Sequence, residues 1–189
     1  MKIGDYKLKN LSKRAFTVTE LFVVTALIGI LSIVFIPYYK STKDQFALLR
    51  SAYQLAQDIR RAQAMALASE KKQGSQEEIY GYGIYLKKSL KNYYILFRDK
   101  NDNKVYDEPS DDKIGDIDFE QGIEINTLEK EYINISFQPP DPVVSLKHSA
   151  GIGGGNDLGD DTEIEIHLIN DPLKIKKIIV NKAGLIYVK

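Results

Sequence analysis

The chain has 189 residues, with 26 Lys+Arg against 26 Asp+Glu and a formal net charge of zero. The lack of cysteine excludes a disulfide framework, a thiolate zinc site and a thiol nucleophile. With only His148 and His167 as imidazoles, most metal-hydrolase and Ser-His-Asp arrangements are starved of ligands or bases. The balanced charge also argues against a dedicated nucleic-acid binder, so a folded protein that is not an enzyme is expected.

Charge is unevenly placed along the chain. Residues 1–15 carry Lys2, Lys7, Lys9, Lys13 and Arg14 against Asp5, a net of +4, which leaves −4 on the rest. Residues 21–39 then form nineteen consecutive positions without a charge, LFVVTALIGILSIVFIPYY. As a helix this run is roughly 28 Å long, close to the ~30 Å hydrocarbon core of a bilayer. The basic flank lies N-terminal to it, which places residue 1 in the cytoplasm and the C-terminal body outside. A secretory signal is the poorer fit, because its apolar stretch is shorter and ends in a small-x-small cleavage site. Here the run ends in Pro37-Tyr38-Tyr39-Lys40. Glu20, one residue before the apolar run, is costly at a membrane edge and therefore calls for a function and a partner.

The segment Lys13-Arg14-Ala15-Phe16-Thr17-Val18-Thr19-Glu20-Leu21, followed by the apolar run, resembles the processing site of type IV prepilins and type II secretion pseudopilins. The resemblance implies that a prepilin peptidase cuts the Ala15–Phe16 bond on the cytoplasmic side and that the new terminal Phe16 is N-methylated. It also implies that Glu20 is the acid used in assembly, and Pro37 falls where many pilins carry a helix-kinking proline. Ala15 departs from the family, in which Gly usually precedes the cut.

Past the apolar run, residues 44–69 are expected to continue the helix. Leu48, Ala52, Leu55, Ile59, Ala62 and Ala66 recur at three- and four-residue spacing, with Arg50, Asp58, Arg60 and Arg61 off that stripe. Gly74 and the polar run 70–78 close it. Strand patterns follow at 80–86, 93–98, 123–127, 133–137, 163–168, 175–181 and 185–188. The last two are joined by Lys182-Ala183-Gly184, a three-residue connection with Gly where a G1 bulge needs it. No helical pattern separates the strands, so the sheet should be mainly antiparallel. The expected architecture is α+β: a basic leader at 1–15, a transmembrane and assembly helix at 16–39, an amphipathic continuation at 40–72 and a β-rich body at 73–189. The helix stretch AQDIRRAQAMA, the Phe-x-Asp-x-Asn-x-Asn loop, the Ile-x-Phe-x-Pro strand and the closing hairpin resemble the GspH/FimT-type minor pseudopilins.

Three features invite chemistry and fail to carry it. Asp99, Asn101, Asn103 and Asp107 alternate as in a calcium loop, with Asp111 and Asp112 nearby. An EF-hand would place Gly at Lys104 and Glu at Ser110, between helices. A solvated acidic turn is the favoured reading, a weak calcium site the lesser one, and no cofactor is expected. Gly151-Ile152-Gly153-Gly154-Gly155 lacks the Lys-Ser/Thr and the helix of a phosphate loop, and Asp157, Asp160 and Asp161 would repel phosphate. His148 beside Ser149 has no sequence-placed orienting partner, and His167 falls inside a strand pattern.

Function is therefore expected from the anchor: a minor pilin or pseudopilin, single-pass in the cytoplasmic membrane and then assembled into a filament. Its expected partners are other pilin or pseudopilin subunits, the prepilin peptidase and methylase, an inner-membrane assembly platform and membrane lipid. The rival is a DNA-binding pilus component using Lys174, Lys176, Lys177, Lys182 and Lys189, a C-terminal run without an acid. Against it, residues 99–131 hold twelve acids and four bases, a net of −8.

Overall fold

The computed structural model describes residues 16–68, 79–128, 130–139, 143–148 and 156–189. The chain divides into two compact units, Met1–Ser41 and Thr42–Lys189. One helix, α1 (Val18–Ala68), contributes to both and runs through Gly29 and Pro37 without a break in its assignment. Thr17 caps it: its Oγ1 accepts the Glu20 amide at 3.2 Å, and its carbonyl accepts Leu21 N at 3.1 Å.

In the second unit α1 becomes a core helix. Ala47, Leu48, Ala52, Leu55, Ala56, Ile59, Ala62 and Ala66 are buried, which is the stripe that the spacing dictates with two alanines added. The many alanines keep that face thin. The polar flank is tied down as well. Tyr94 Oη donates to Asp58 Oδ2 at 2.6 Å, and burial together with that bond holds the phenol above its usual pKa.

Ten strands follow: β1 (Gly81–Lys87), β2 (Tyr93–Asp99), β3 (Asp112–Asp118), β4 (Ile123–Leu128), β5 (Tyr132–Gln138), β6 (Val143–His148), β7 (Asn156–Asp157), β8 (Asp161–Leu168), β9 (Asp171–Asn181) and β10 (Ile186–Val188). They form a six-stranded sheet in the order β3-β2-β1-β5-β6-β7 and a four-stranded sheet in the order β10-β9-β8-β4, with every pairing antiparallel. Side chains of both sheets, among them Ile84, Leu96, Ile135, Ile164, Ile178 and Val180, join the helix stripe in one hydrophobic core. The protein is α+β, an apolar N-terminal helix packed against antiparallel sheets.

All seven sequence-predicted strands are present within a few residues of their expected bounds, while β3, β6 and β7 were not anticipated. The expected hairpin is present: Gly184 has φ +80°, and Asn181 N donates to Leu185 O at 3.1 Å. At the other end of β9 the register jumps. Ile175 pairs with His167 but Asp171 pairs with Leu168, so Pro172, Leu173 and Lys174 bulge away from β8.

The acidic stretch after β2 differs from the expected solvated turn. It folds back over the outer face of the six-stranded sheet, where the Tyr106 ring lies 5.3 Å from Tyr85 and 5.4 Å from Phe97. Asn134 Oδ1 accepts Tyr106 N at 2.9 Å, and Lys147 Nζ donates to Asn103 O at 3.0 Å. Gly83 makes the room: a Cβ there would stand 2.7 Å from both the Ile135 carbonyl oxygen and the Phe97 ring. The central strands are thus covered on both faces, which explains their near-continuous apolar runs.

Candidate functional site

Of the residues singled out for processing and assembly, Phe16 and Glu20 lie within the described chain, and Ala15 with the rest of the leader lies outside it. Phe16 is exposed two residues before α1 begins. Glu20 is exposed in the first turn of α1, three residues after the cap, where a carboxylate complements the unpaired amides and the helix dipole. The Thr17-x-x-Glu20 spacing is that of a capping box. Sequence reasoning read Glu20 only as an assembly acid and missed this local contribution.

From Leu21 to Tyr39 the large apolar side chains point to solvent, including Phe22, Ile28, Ile33, Phe35 and Ile36. The few polar groups of this run are satisfied within it. Thr25 Oγ1 donates to Phe22 O at 3.0 Å, and Ser32 Oγ donates to Ile28 O at 2.8 Å. A helix of this kind presents an all-round apolar surface and asks nothing polar of its surroundings, as residence in hydrocarbon requires. Among the described residues it is the one helix long and apolar enough to cross a membrane.

The acidic loop is internally organised. Buried Asp99 accepts three backbone amides: Asn101 N at 3.1 Å and Asp102 N at 2.8 Å on Oδ1, and Lys104 N at 3.0 Å on Oδ2. Asp102 and Lys104 reach these positions at φ +61° and +68°. Asp111, also buried, accepts Lys100 N and Asp107 N, both at 3.0 Å. Burial pushes the Asp111 carboxyl up to about 7, against the pull of those two amides. Asn101 and Asn103 donate to Asp107 Oδ1 at 3.1 and 3.3 Å. The oxygens that a cation would need are thus engaged with amides, and among the described residues no three His, Cys, Asp or Glu side chains are grouped to hold a metal ion.

The histidines stand far apart in the topology. His167 is buried on β8 with Nε2 3.4 Å from Glu124 Oε1 and Nδ1 without a hydrogen-bond partner, and His148 ends β6 opposite Asn156. The Gly151–Gly155 stretch and Ser149 lie outside the described residues. Of the five C-terminal lysines, Lys177 bridges Glu163 and Glu165 at 2.5 and 2.6 Å, Lys174 meets Asp171 at 3.2 Å and Lys182 meets Asp157 at 3.2 Å. Those two glutamates raise the Lys177 pKa to about 12. A cleft of about 500 Å³ beside them is lined by Asp160, Asp161, Glu163 and Glu165, a surface that repels polyanions.

The exposed apolar half of α1, with Glu20 in its first turn and Phe16 just ahead of it, is therefore the candidate site. Comparison with protein-family models, curated proteins and solved structures finds no match for this chain. The pilin-like character of the architecture rests on the long apolar helix and its antiparallel body alone.

Proposed function

We propose that the chain is a minor pilin or pseudopilin, synthesised as a membrane-anchored precursor and assembled through α1 into a type IV pilus or type II secretion pseudopilus. The observation that carries this reading is the division of one helix between two environments. Residues 47–66 bury an alanine-rich stripe in the body, while the preceding apolar run is exposed on all sides. Leaving lipid costs such a surface roughly 25 cal/mol per Å² unless equivalent helices cover it again. Exchange between bilayer and helix bundle is the function that this surface suits.

The processing step belongs to the same proposal. Cleavage at Ala15–Phe16 leaves Phe16 as the new amine and Glu20 one helical turn on. The amine of an incoming neighbour is the partner we assign to Glu20 in assembly, an attraction strengthened by the low dielectric of a bundle. The test is intact mass of the membrane-extracted protein from cells with an active prepilin peptidase. Loss of residues 1–15 with one added methyl group supports the assignment, and recovery of the full precursor alone refutes it. Glu20→Ala should still be cut and should fail to appear in sheared filaments; normal incorporation sinks the pairing role. The DNA-binding alternative loses ground because three of its five lysines are already paired with carboxylates.

A further inference from the structure

The end of the body at which α1 enters carries an apolar patch that the fold does not use. Glu120 ties this end to the helix: Glu120 N donates to Ser51 Oγ at 3.1 Å, and its carboxylate meets Arg50 at 2.5 Å. The β8–β9 turn joins the same end, with Ile169 N donating to Gly122 O at 2.9 Å. A groove of about 440 Å³ runs between the first turns of the body helix and the bulge of β9. Its walls include Phe46, Leu173 and Ile175, which are 56%, 92% and 37% exposed, together with Lys174 and Lys176. Leu173 is the anomaly. A leucine lifted out of its strand by a bulge, almost wholly in water, does nothing for the stability of the body.

We propose that this groove and the Leu173 bulge seat the body on an anionic phospholipid surface while the subunit waits in the membrane. The inference rests on the anchor reading above, because the chain supplies the proximity. Phe46 follows Tyr39, the last residue of the uncharged run, by only seven positions of chain. Tyr38, Tyr39 and Lys40 at that boundary are the residue types that sit at headgroup level. Beyond them Lys174 and Lys176 line the groove itself. The acids at the same end are Asp44, Glu120 and Asp171; Glu120 is paired with Arg50 and Asp171 with Lys174, so Lys176 is the groove lysine left to an anion among the described residues. An apolar tip beside a lysine enters the headgroup boundary with its stem while Lys176 meets phosphate. A second copy is the poorer occupant. A two-fold contact through this patch would set Lys174 and Lys176 against their equivalents. A groove with three exposed apolar side chains is also small beside the ~1,000 Å² of a stable interface.

The test uses the unit Thr42–Lys189, which has its own core and lacks the anchor, so its result is independent of whether residues 21–39 span a bilayer. Co-sedimentation with phosphatidylcholine vesicles, with and without phosphatidylglycerol, reads the binding. Binding is expected on the anionic vesicles only and should fall with salt. Lys176→Ala should weaken it roughly fivefold, and Leu173→Asp roughly tenfold or more, with unchanged melting since Leu173 packs on nothing. No binding at low salt, or binding indifferent to Leu173→Asp, overturns the proposal. Lipid-free self-association abolished by Leu173→Asp would also overturn it and assign the patch to a contact between copies. Release of the full-length chain from membranes by alkaline carbonate would instead sink the anchor reading and leave the vesicle result standing.

Discussion

Leu55→Ala tests the division of labour along α1. Leu55 has no exposed surface and lies mid-stripe between Ala52 and Ile59, facing a core shared by both sheets. Buried leucines truncated to alanine lose transfer free energy and leave a cavity, together about 3–5 kcal/mol where the site cannot collapse. Collapse is hindered here because Ala52 and Ala56 beside it on the helix have no side chain to swing into the gap. In a body of about 150 residues, each kcal/mol moves the melting temperature by roughly 2–4 °C, so a fall of about 6–20 °C is expected. Leu31→Ala, made at a residue of the same helix that is 54% exposed, should leave the melting of the body unchanged. Thermal unfolding of the detergent-extracted chain, followed by near-ultraviolet dichroism of its tyrosines, compares the two. Equal shifts, or a loss under about 1 kcal/mol for Leu55→Ala, would refute the claim that one helix serves a core in one half and a partner surface in the other.

Gly83→Ala should destabilise the body by about 3 kcal/mol, because its Cβ would press on the Ile135 carbonyl and the Phe97 ring, and neither can retreat; a neutral chemical-denaturation midpoint would contradict the packing of the loop over that face. Asp99→Ala strands the three backbone amides bonded to its buried carboxylate and should cost about 3 kcal/mol, with Asp99→Asn milder because one oxygen remains; equal losses would mean that the amides find other acceptors. For pH, the folded chain holds the Asp111 proton far more tightly than the unfolded chain does, with a pKa of about 7 against an ordinary 3.8. Its contribution is complete below about pH 4 and is lost as pH rises toward and past 7, so Asp111→Asn should flatten the fall in stability between pH 5 and 8; an unchanged slope would mean that another group titrates there.

What the sequence disclosed and what it hid follow from the range of the forces involved. The helix stripe, the uncharged run and the closing hairpin are local patterns, readable from spacing, charge and one glycine. The β3 strand escaped because it is an edge strand: Asp112, Asp116 and Asp118 guard an open side, and only Ile114 and Ile117 hint at a strand. The acidic loop was misjudged for a different reason. Its carboxylates resemble solvated ones in composition, and only the long-range contacts of Tyr106 with Tyr85, Phe97 and Asn134 reveal that it covers a sheet face. At the candidate site, the apolar surface was legible, whereas the capping geometry around Thr17 and Glu20 was overlooked although its S/T-x-x-E signature was in plain view.

Under the proposed assembly into a filament, the register jump at the start of β9 has a consequence for neighbouring copies. Subunits crowded side by side risk joining through raw strand edges, which would lock them into irreversible aggregates instead of an ordered, dismantlable array. The outer edge of β9 ahead of β10 is one place where the four-stranded sheet runs that risk, β4 forming its opposite edge. There the bulge bends the backbone out of line, Pro172 withholds an amide and Lys174 and Lys176 bring charge, so a foreign strand finds no straight template to copy. The same distortion that leaves Leu173 conspicuous also keeps the body sociable only on the terms set by its helix.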